Sequence, residues 1–263
     1  MILSRRVWLG SSSGPQLDEV HERVVVLGID PGTPKETLNT AKLMGGAGSR
    51  ISGQHWDELE VKVTFGIDVP KKSLSLRRQI FDDVKTWALT NGTGGHLYTS
   101  VMPGKRVYID KVVLPSAGDL FEWTNSFDIL FKAYSVPFWT DRTPAKASAG
   151  ILTKGAVGLD VGGDVETVAD VTFTNKSGKT INNFAVTAGN SRMVLSKISL
   201  GDGKKVEIVH TSAGLLRIRA NGSSILEKRT GADDLTISPG HVVVSIETER
   251  AGELVVNAYG RYL

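Results

Sequence analysis

Cysteine is absent from the 263 residues, which removes disulfides, thiolate nucleophiles and cysteine metal sites together and suits assembly in a reducing cytoplasm. Also missing is any apolar run near the roughly 20 residues that a membrane-spanning helix needs, so membrane insertion is not expected. Charge of one sign is not in excess either. The 31 Lys and Arg are interspersed with 28 Asp and Glu, for a net charge of +3, without the basic stripe that neutralises phosphates. Sequence-specific nucleic-acid binding is therefore not expected. The segment Ser4-Arg5-Arg6-Val7-Trp8-Leu9 has the letters of a twin-arginine export signal, but Gly10 to Pro15 supply no apolar segment behind it, so export by that route is not expected. The sequons at Asn91, Asn175 and Asn221 then read as turns, where Asn and Gly accept positive φ, and glycosylation is not predicted. What is present is 40% apolar residues at a mean hydropathy of −0.07. That is the composition of a soluble globular protein, long enough for one large domain or two ordinary ones.

The tryptophans (Trp8, Trp56, Trp87, Trp123 and Trp139) all precede a stretch from Asp141 to Gly155 that is rich in Thr, Pro, Ala, Ser and Gly. Composition therefore places an N-terminal domain at 1–142, a linker at 143–155 and a C-terminal domain at 156–263. In the first, Leu59, Val61, Val63 and Phe65 alternate with Glu58, Glu60, Lys62 and Thr64, the period of two that sets one face on a core and the other in water. Further strands are expected at Val24 to Leu27, Arg106 to Leu114 and Phe127 to Tyr134. Leu76, Ile80, Val84 and Trp87 recur at helical spacing and predict a helix over about 75–90, with Ser73 or Ser75 as N-cap and Asn91-Gly92 as the stop. Residues 31–52 carry prolines, glycines and little alternation, and read as a long loop or extended arm.

The second half shows no helix. Strands are expected at Val165 to Thr174, Ile181 to Thr187, Val194 to Leu200, Val206 to His210, Leu215 to Arg219, His241 to Glu247 and Leu254 to Tyr262. Turns fall at Lys176 to Lys179, Asp202-Gly203, Asn221-Gly222, Ser238 to Gly240 and Ala251-Gly252. This spacing is that of a β-sandwich or jelly roll, and no fixed-period repeat points to a propeller or solenoid.

Gly10-Ser11-Ser12-Ser13-Gly14 matches the letters of a hydrolase nucleophile turn, but Pro15 and Asp18-Glu19 follow it in place of a packed helix, so a loop is the better assignment. His21, His55, His96, His210 and His241 are isolated, without the spacing that sets two imidazoles on one helical face, and read as surface or turn residues. Met44 to Ser49 is glycine-rich but lacks the Gly-Lys-Ser/Thr ending of a phosphate loop, and reads as a flexible arm. Asp82-Asp83 belongs to a solvated helix face, and Asp233-Asp234 is given no catalytic role. Beyond residue 150 the aromatics are Phe173, Phe184, Tyr259 and Tyr262, all at positions that alternation allows to be core, which weakens a sugar platform.

The succession of features resembles the distal tail protein family of siphophages over nearly the whole chain. In the first half an arm is followed by the charged alternating strand Trp56 to Phe65, by Arg77-Arg78 opening a helix, and by Leu97 to Leu114 and the aromatic strand to Phe138. In the second, Gly162-Gly163-Asp164-Val165-Glu166-Thr167 enters the first strand, Ser238-Pro239-Gly240 precedes the penultimate one, and Gly260-Arg261-Tyr262-Leu263 ends the chain. The resemblance implies a mainly β protein. Its N-terminal β-sandwich or barrel-like domain would carry one helix and form a ring, in known relatives a hexamer, and its C-terminal domain would be a galectin-like jelly roll. It implies a structural hub at the distal end of a tail tube, with a channel for DNA. The expected partners are further copies of the chain, the tail tube protein, a tail-tip or baseplate hub protein and a receptor-binding protein. The expected location is the virion tail, assembled in the host cytoplasm. No enzyme activity, catalytic residue, cofactor or metal is expected. The alternative of another class is a carbohydrate-binding protein that grips host glycans with the C-terminal sandwich.

Overall fold

A computed structural model describes residues 5–11, 13–42, 49–70, 73–115 and 124–263, with backbone alone for 40–42 and 49–54. The fold is mainly β, and among the described residues its single α-helix is Leu74–Gly92. The chain divides into two compact units, Met1–Trp139 and Thr140–Leu263.

In the first unit a four-stranded antiparallel sheet runs in the order Val24–Asp30, Leu59–Ile67, Ser126–Ala133, Lys111–Val113. Leu59, Val61, Val63 and Phe65 stand opposite Ala133, Phe131, Ile129 and Phe127, so the alternating pattern delivers eight apolar side chains to one face. The helix covers that face with Ile80, Phe81, Val84, Trp87 and Ala88, all buried. Phe81 lies 4.8 Å from Phe127 and 6.5 Å from Phe65, and Trp87 meets Phe131 edge-on at 6.5 Å. Each such fully buried side chain contributes about 1.5–3 kcal/mol.

The helix differs from its expected stripe in two places. Leu76 is only partly buried and Arg77 is buried instead, because a flat sheet accepts a face wider than one i, i+4 row. At the other end Gly92 is helical. A Cβ there would come within 2.6 Å of Val112 Cγ2, so the glycine permits close approach to a strand, while Gly94 at φ +75° makes the reversal.

The expected strand Arg106 to Leu114 is broken. Lys105–Tyr108 pairs with His96–Thr99, which in turn pairs with Val7–Leu9, whereas Lys111–Val113 joins the four-stranded sheet. Asp110 sits at the break, its carboxylate accepting from Tyr134 N at 2.6 Å, Ser135 N at 2.9 Å and the Ser135 hydroxyl at 2.6 Å. Residues 31–52 are also more ordered than a loop, since Glu36–Lys42 and Ser49–Trp56 form an antiparallel ribbon with a register shift at Asn39/Thr40. Period-two burial could not announce it, because a lone ribbon has no core side.

The second unit is a pair of antiparallel sheets around one core. One sheet runs Ala145–Ile151, Gly252–Ala258, Thr167–Asn175, Lys205–His210, Leu216–Ala220, Ser223–Ser224, with Thr236–Ile237 also on Thr167–Asn175. The other runs Lys154–Val161, Gly240–Thr248, Ile181–Ala188, Ser191–Leu200, Arg229–Gly231. Phe173 and Phe184 meet at 5.4 Å amid valines, isoleucines and leucines. Asn221 and Gly222, at φ 53° and 82°, make the two-residue hairpin between Ala220 and Ser223, as the right-handed twist of the strands requires. The expected last strand is interrupted at Gly260, where a Cβ would lie 2.5 Å from Gly162 O. Residues 145–155, assigned to a linker by composition, contain the strand Ala145–Ile151 and the start of Lys154–Val161. Alanine, serine and glycine carry little strand propensity, and pairing supplies what propensity does not.

Candidate functional site

The arm is the first candidate. Its ribbon is a two-stranded sheet of its own, and among the described residues no other strand pairs with either outer edge. Its tip, 43–48, which includes most of the glycine-rich Met44 to Ser49 segment, lies outside the described residues. Its base is built with care. Lys35 N donates to Glu58 O at 2.8 Å and Asp57 N to Lys35 O at 2.9 Å, and the Lys35 ammonium pairs with the Glu58 carboxylate. Lys132 adds contacts of 3.5 Å to Glu58 and 2.8 Å to Glu60. The Lys35 hydrogen bond, helped by Lys132, holds the Glu58 carboxyl below its ordinary range, and Glu60 holds the Lys132 ammonium above its own. Thr37 donates to Asp57, which also lies 2.9 Å from His55. Trp139 Nε1 donates to Pro31 O at 3.0 Å, and Trp56 meets Phe138 edge-on at 5.8 Å. Gly32 at φ +67° completes the entry, since a Cβ there would lie 2.0 Å from Glu60 O.

The four-stranded sheet offers a second surface. Val24–Asp30 and Lys111–Val113 are its outer strands, and each pairs on one side only among the described residues. Val25 and Leu27 are 47% and 43% exposed on the first of these edges. On the solvent face the charges are matched: Lys62 lies 3.1 Å from Asp128, which also accepts from Thr64 at 2.6 Å, and Lys132 lies 2.8 Å from Glu60.

The third constellation was missed in sequence. His210, read as a surface or turn residue, is an interior group with a side chain only 6% exposed. Its Nδ1 lies 2.7 Å from Asp170 and its Nε2 2.9 Å from Asp234, and its backbone N donates to Asp170 at 2.9 Å. Burial disfavours the imidazolium, but the two carboxylates outweigh it and lift the pKa to about 9. Both ring nitrogens therefore donate at neutral pH. A group without a free lone pair is no general base, so this is a clamp that ties the strands Lys205–His210 and Thr167–Asn175 to the loop that carries Asp234. No spacing rule announces such a trio.

The remaining candidates stay apart. Ser12 lies outside the described residues, and Gly10 to Gly14 leads only to the short turn Leu17–Glu19. His96 is held down at about 4 by burial and by Arg106, and His241 pairs with Asp160 at 2.8 Å on the surface. Asp233 pairs with Arg229 at 2.8 Å and Asp234 with His210. Among the described residues no group of three or more His, Asp and Glu is arranged to hold a metal ion. Phe173 and Phe184 are fully in the core, and Tyr259 and Tyr262 are partly buried.

No protein-family model matches this chain, and no curated protein matches it. Among solved structures, the Dit (gp 19.1) protein of phage SPP1, described as a paradigm of the hub adsorption apparatus in phages that infect Gram-positive bacteria, is similar over 98% of this chain and 99% of that chain, with a TM-score of 0.66 at 11% identity. Structures of the phage P2 baseplate in its activated conformation, with Ca and with Sr, align over 96% of this chain and 97% of theirs, with TM-scores of 0.47 at 10% and 11% identity. Over nearly its whole length, then, this chain has the fold of the SPP1 Dit protein.

Proposed function

We propose that the chain is a structural hub of a phage tail, a ring at the distal end of the tail tube that joins the tube to the tail tip or baseplate and lets DNA pass. The observation that carries this reading is the whole-length likeness in fold to a hub protein. The other features are consistent with it on physical grounds. A four-stranded antiparallel sheet has outer strands of opposite direction, and here neither pairs further among the described residues, so setting one edge against the other edge of a second copy keeps the alternation; such heterologous contacts make a ring when the rotation between copies closes. The ribbon, which joins no other strand among the described residues, reaches a neighbouring copy. Matched charges on the sheet's solvent face leave little field to hold phosphates, as a passage for DNA requires.

In this reading the first unit forms the ring, in related rings a hexamer, and the second unit, which takes in the strand Ala145–Ile151, forms a galectin-like accessory sandwich. The neighbours are the tail tube protein, the tail-tip or baseplate hub protein and a receptor-binding protein, all in the virion tail and assembled in the host cytoplasm. The chain acts without catalysis or cofactor. The glycan-binding alternative has little aromatic surface to use, since Phe173 and Phe184 are in the core and Tyr259 and Tyr262 are partly buried. Light scattering of the full chain across a concentration series, with electron microscopy of the largest species, tests the ring. A closed annulus is expected, and replacing residues 37–55 by a short glycine-serine turn should abolish it. An oligomer unchanged by that replacement would sink the role given to the arm.

A further inference from the structure

The dipeptide Asn-Gly stands at two places in the chain, Asn91-Gly92 and Asn221-Gly222, and the fold treats them oppositely. Asn221 and Gly222 are both exposed, at φ 53° and 82°, as the two-residue turn between Ala220 and Ser223. Among the described residues nothing accepts from the Gly222 N–H, and the space around it is open, since a Cβ on Gly222 would find nothing within 4 Å. The Asn221 amide makes a long contact, Nδ2 to Ser199 O at 3.5 Å. The strand that follows, Ser223–Ser224, is two residues long and, among the described residues, pairs only with Leu216–Ala220, so this end of the sheet opens easily. Asn91-Gly92, by contrast, closes the helix Leu74–Gly92. Gly92 is buried, Asn91 Nδ2 donates to Trp87 O at 3.0 Å, and a Cβ on Gly92 would come within 2.6 Å of Val112. The helical backbone commits the Gly92 N–H to the turn before it, away from the Asn91 side chain.

We propose that Asn221 is a self-modification site, at which the Gly222 backbone converts the asparagine to aspartate and isoaspartate. The Gly222 nitrogen attacks Asn221 Cγ, a C–N bond forms to close a cyclic imide, and the bond from Cγ to Nδ2 breaks. Ammonia leaves, taking up the proton that the Gly222 N–H gives away. Water then opens the imide, and no oxidant or reductant is involved. Opening at Cγ leaves aspartate. Opening at the Asn221 backbone carbonyl leaves isoaspartate, with the chain rerouted through Cβ and Cγ. Glycine suits the step because it has no Cβ to crowd the attacking nitrogen. Either product sets a carboxylate where an amide stood. Isoaspartate also lengthens the backbone of a turn that sets Ala220 opposite Ser223. It therefore loosens Ser223–Ser224 and, behind it, the bond of 2.9 Å from Ile225 N to Ile218 O. The reaction needs no partner or cofactor and does not depend on the hub role. At Asn91 the same dipeptide is kept from it by the helix.

The test is ageing of the full-length protein at mildly alkaline pH in heavy-oxygen water, then digestion in ordinary water and peptide mapping by mass spectrometry. Only acid formed during ageing carries the label, and an isoaspartyl methyltransferase counts the isoaspartate. Both acids are expected at 221, accumulating roughly tenfold or more faster than at 91. In denaturant, where the helix is gone, Asn91 is expected to react at a rate similar to that of Asn221. Gly222→Ala is expected to slow conversion strongly. Because alanine is strained at that φ, Asn221→Gln is the second variant; it keeps the glycine, lengthens the side chain and should leave 221 without acid. No labelled acid at 221 in the wild type would overturn the proposal. Aspartate without isoaspartate would overturn the imide route. Equal conversion at 91 and 221 in the native protein, or an Asn91 that stays inert in denaturant, would overturn the part given to the fold.

Discussion

The two units build their interiors by different means. In the first, one helix lies on one sheet, and the contact is concentrated in Phe65, Phe81, Phe127, Phe131 and Trp87. In the second, two sheets face each other, and the packing is spread over many valines, isoleucines and leucines around Phe173 and Phe184. Their buried polar groups differ in kind. The first unit buries Arg77 and keeps the ion pairs at the base of the arm near the surface, where solvent screens them. The second buries an imidazole, His210, between two carboxylates. A core with few large members is vulnerable at one residue, and a buried charge is vulnerable at one proton.

The largest effect should come from the concentrated core. Phe81→Ala is expected to cost the first unit about 3–5 kcal/mol and to leave the second unit's transition in place, seen as a selective shift of one transition in calorimetry. Equal loss in both transitions would mean that the units do not unfold separately.

Next comes the clamp. His210→Ala leaves Asp170 and Asp234 without their cation and is expected to cost about 3 kcal/mol near neutral pH, read from denaturant midpoints followed by a probe in the second unit. The pH dependence has a definite sign. The folded pKa of about 9 lies above the ordinary 6.5, so His210's contribution is complete below pH about 6.5 and is lost as pH rises through about 9, on the order of 2 kcal/mol. Asp234 is shifted the other way: burial raises its pKa, but His210 outweighs that and holds the carboxyl below its ordinary range. Its contribution is present above the ordinary carboxylate pKa and is lost as pH falls through the depressed value. The gap between wild type and His210→Ala should therefore shrink above pH about 9, and a gap independent of pH would show that the charge is not what the clamp uses.

Smaller again is Gly92→Ala. The added methyl would press on Val112, at about 1–3 kcal/mol for overpacking, although alanine is the better helix former. A stabilised variant would refute close approach as the reason for glycine. At the small end, Lys35→Ala removes an ion pair whose lysine is 63% exposed and should shift stability by less than about 1 kcal/mol. Its effect should appear instead in amide exchange of Glu36–Lys42, if the pair anchors the arm.

Much of the fold was legible wherever burial is one-sided. Leu59 to Phe65 announced its strand because one face meets the helix, and the Ile80, Val84 and Trp87 spacing announced the helix because the other partner is a sheet. The ribbon at 36–56 and the edge strand Ala145–Ile151 were not legible, since neither buries a full apolar face; a loop and a linker were the readings their composition allowed. Turn chemistry carried over well at Asn221-Gly222, where local sterics decide, and less well at Gly92, where a distant valine does.

The sequence by itself determined the class of structure, mainly β with a helix in the first half and a run of strands in the second, because periodicity and turn residues act over a few neighbours. It also determined that disulfides and cysteine metal sites play no part. Only the tertiary structure decided that His210 is an interior cation, since Asp170 and Asp234 lie 40 and 24 residues away in the chain. It alone decided which strands are edges, because an edge is defined by the neighbour a strand lacks, and that is a property of the assembled sheet.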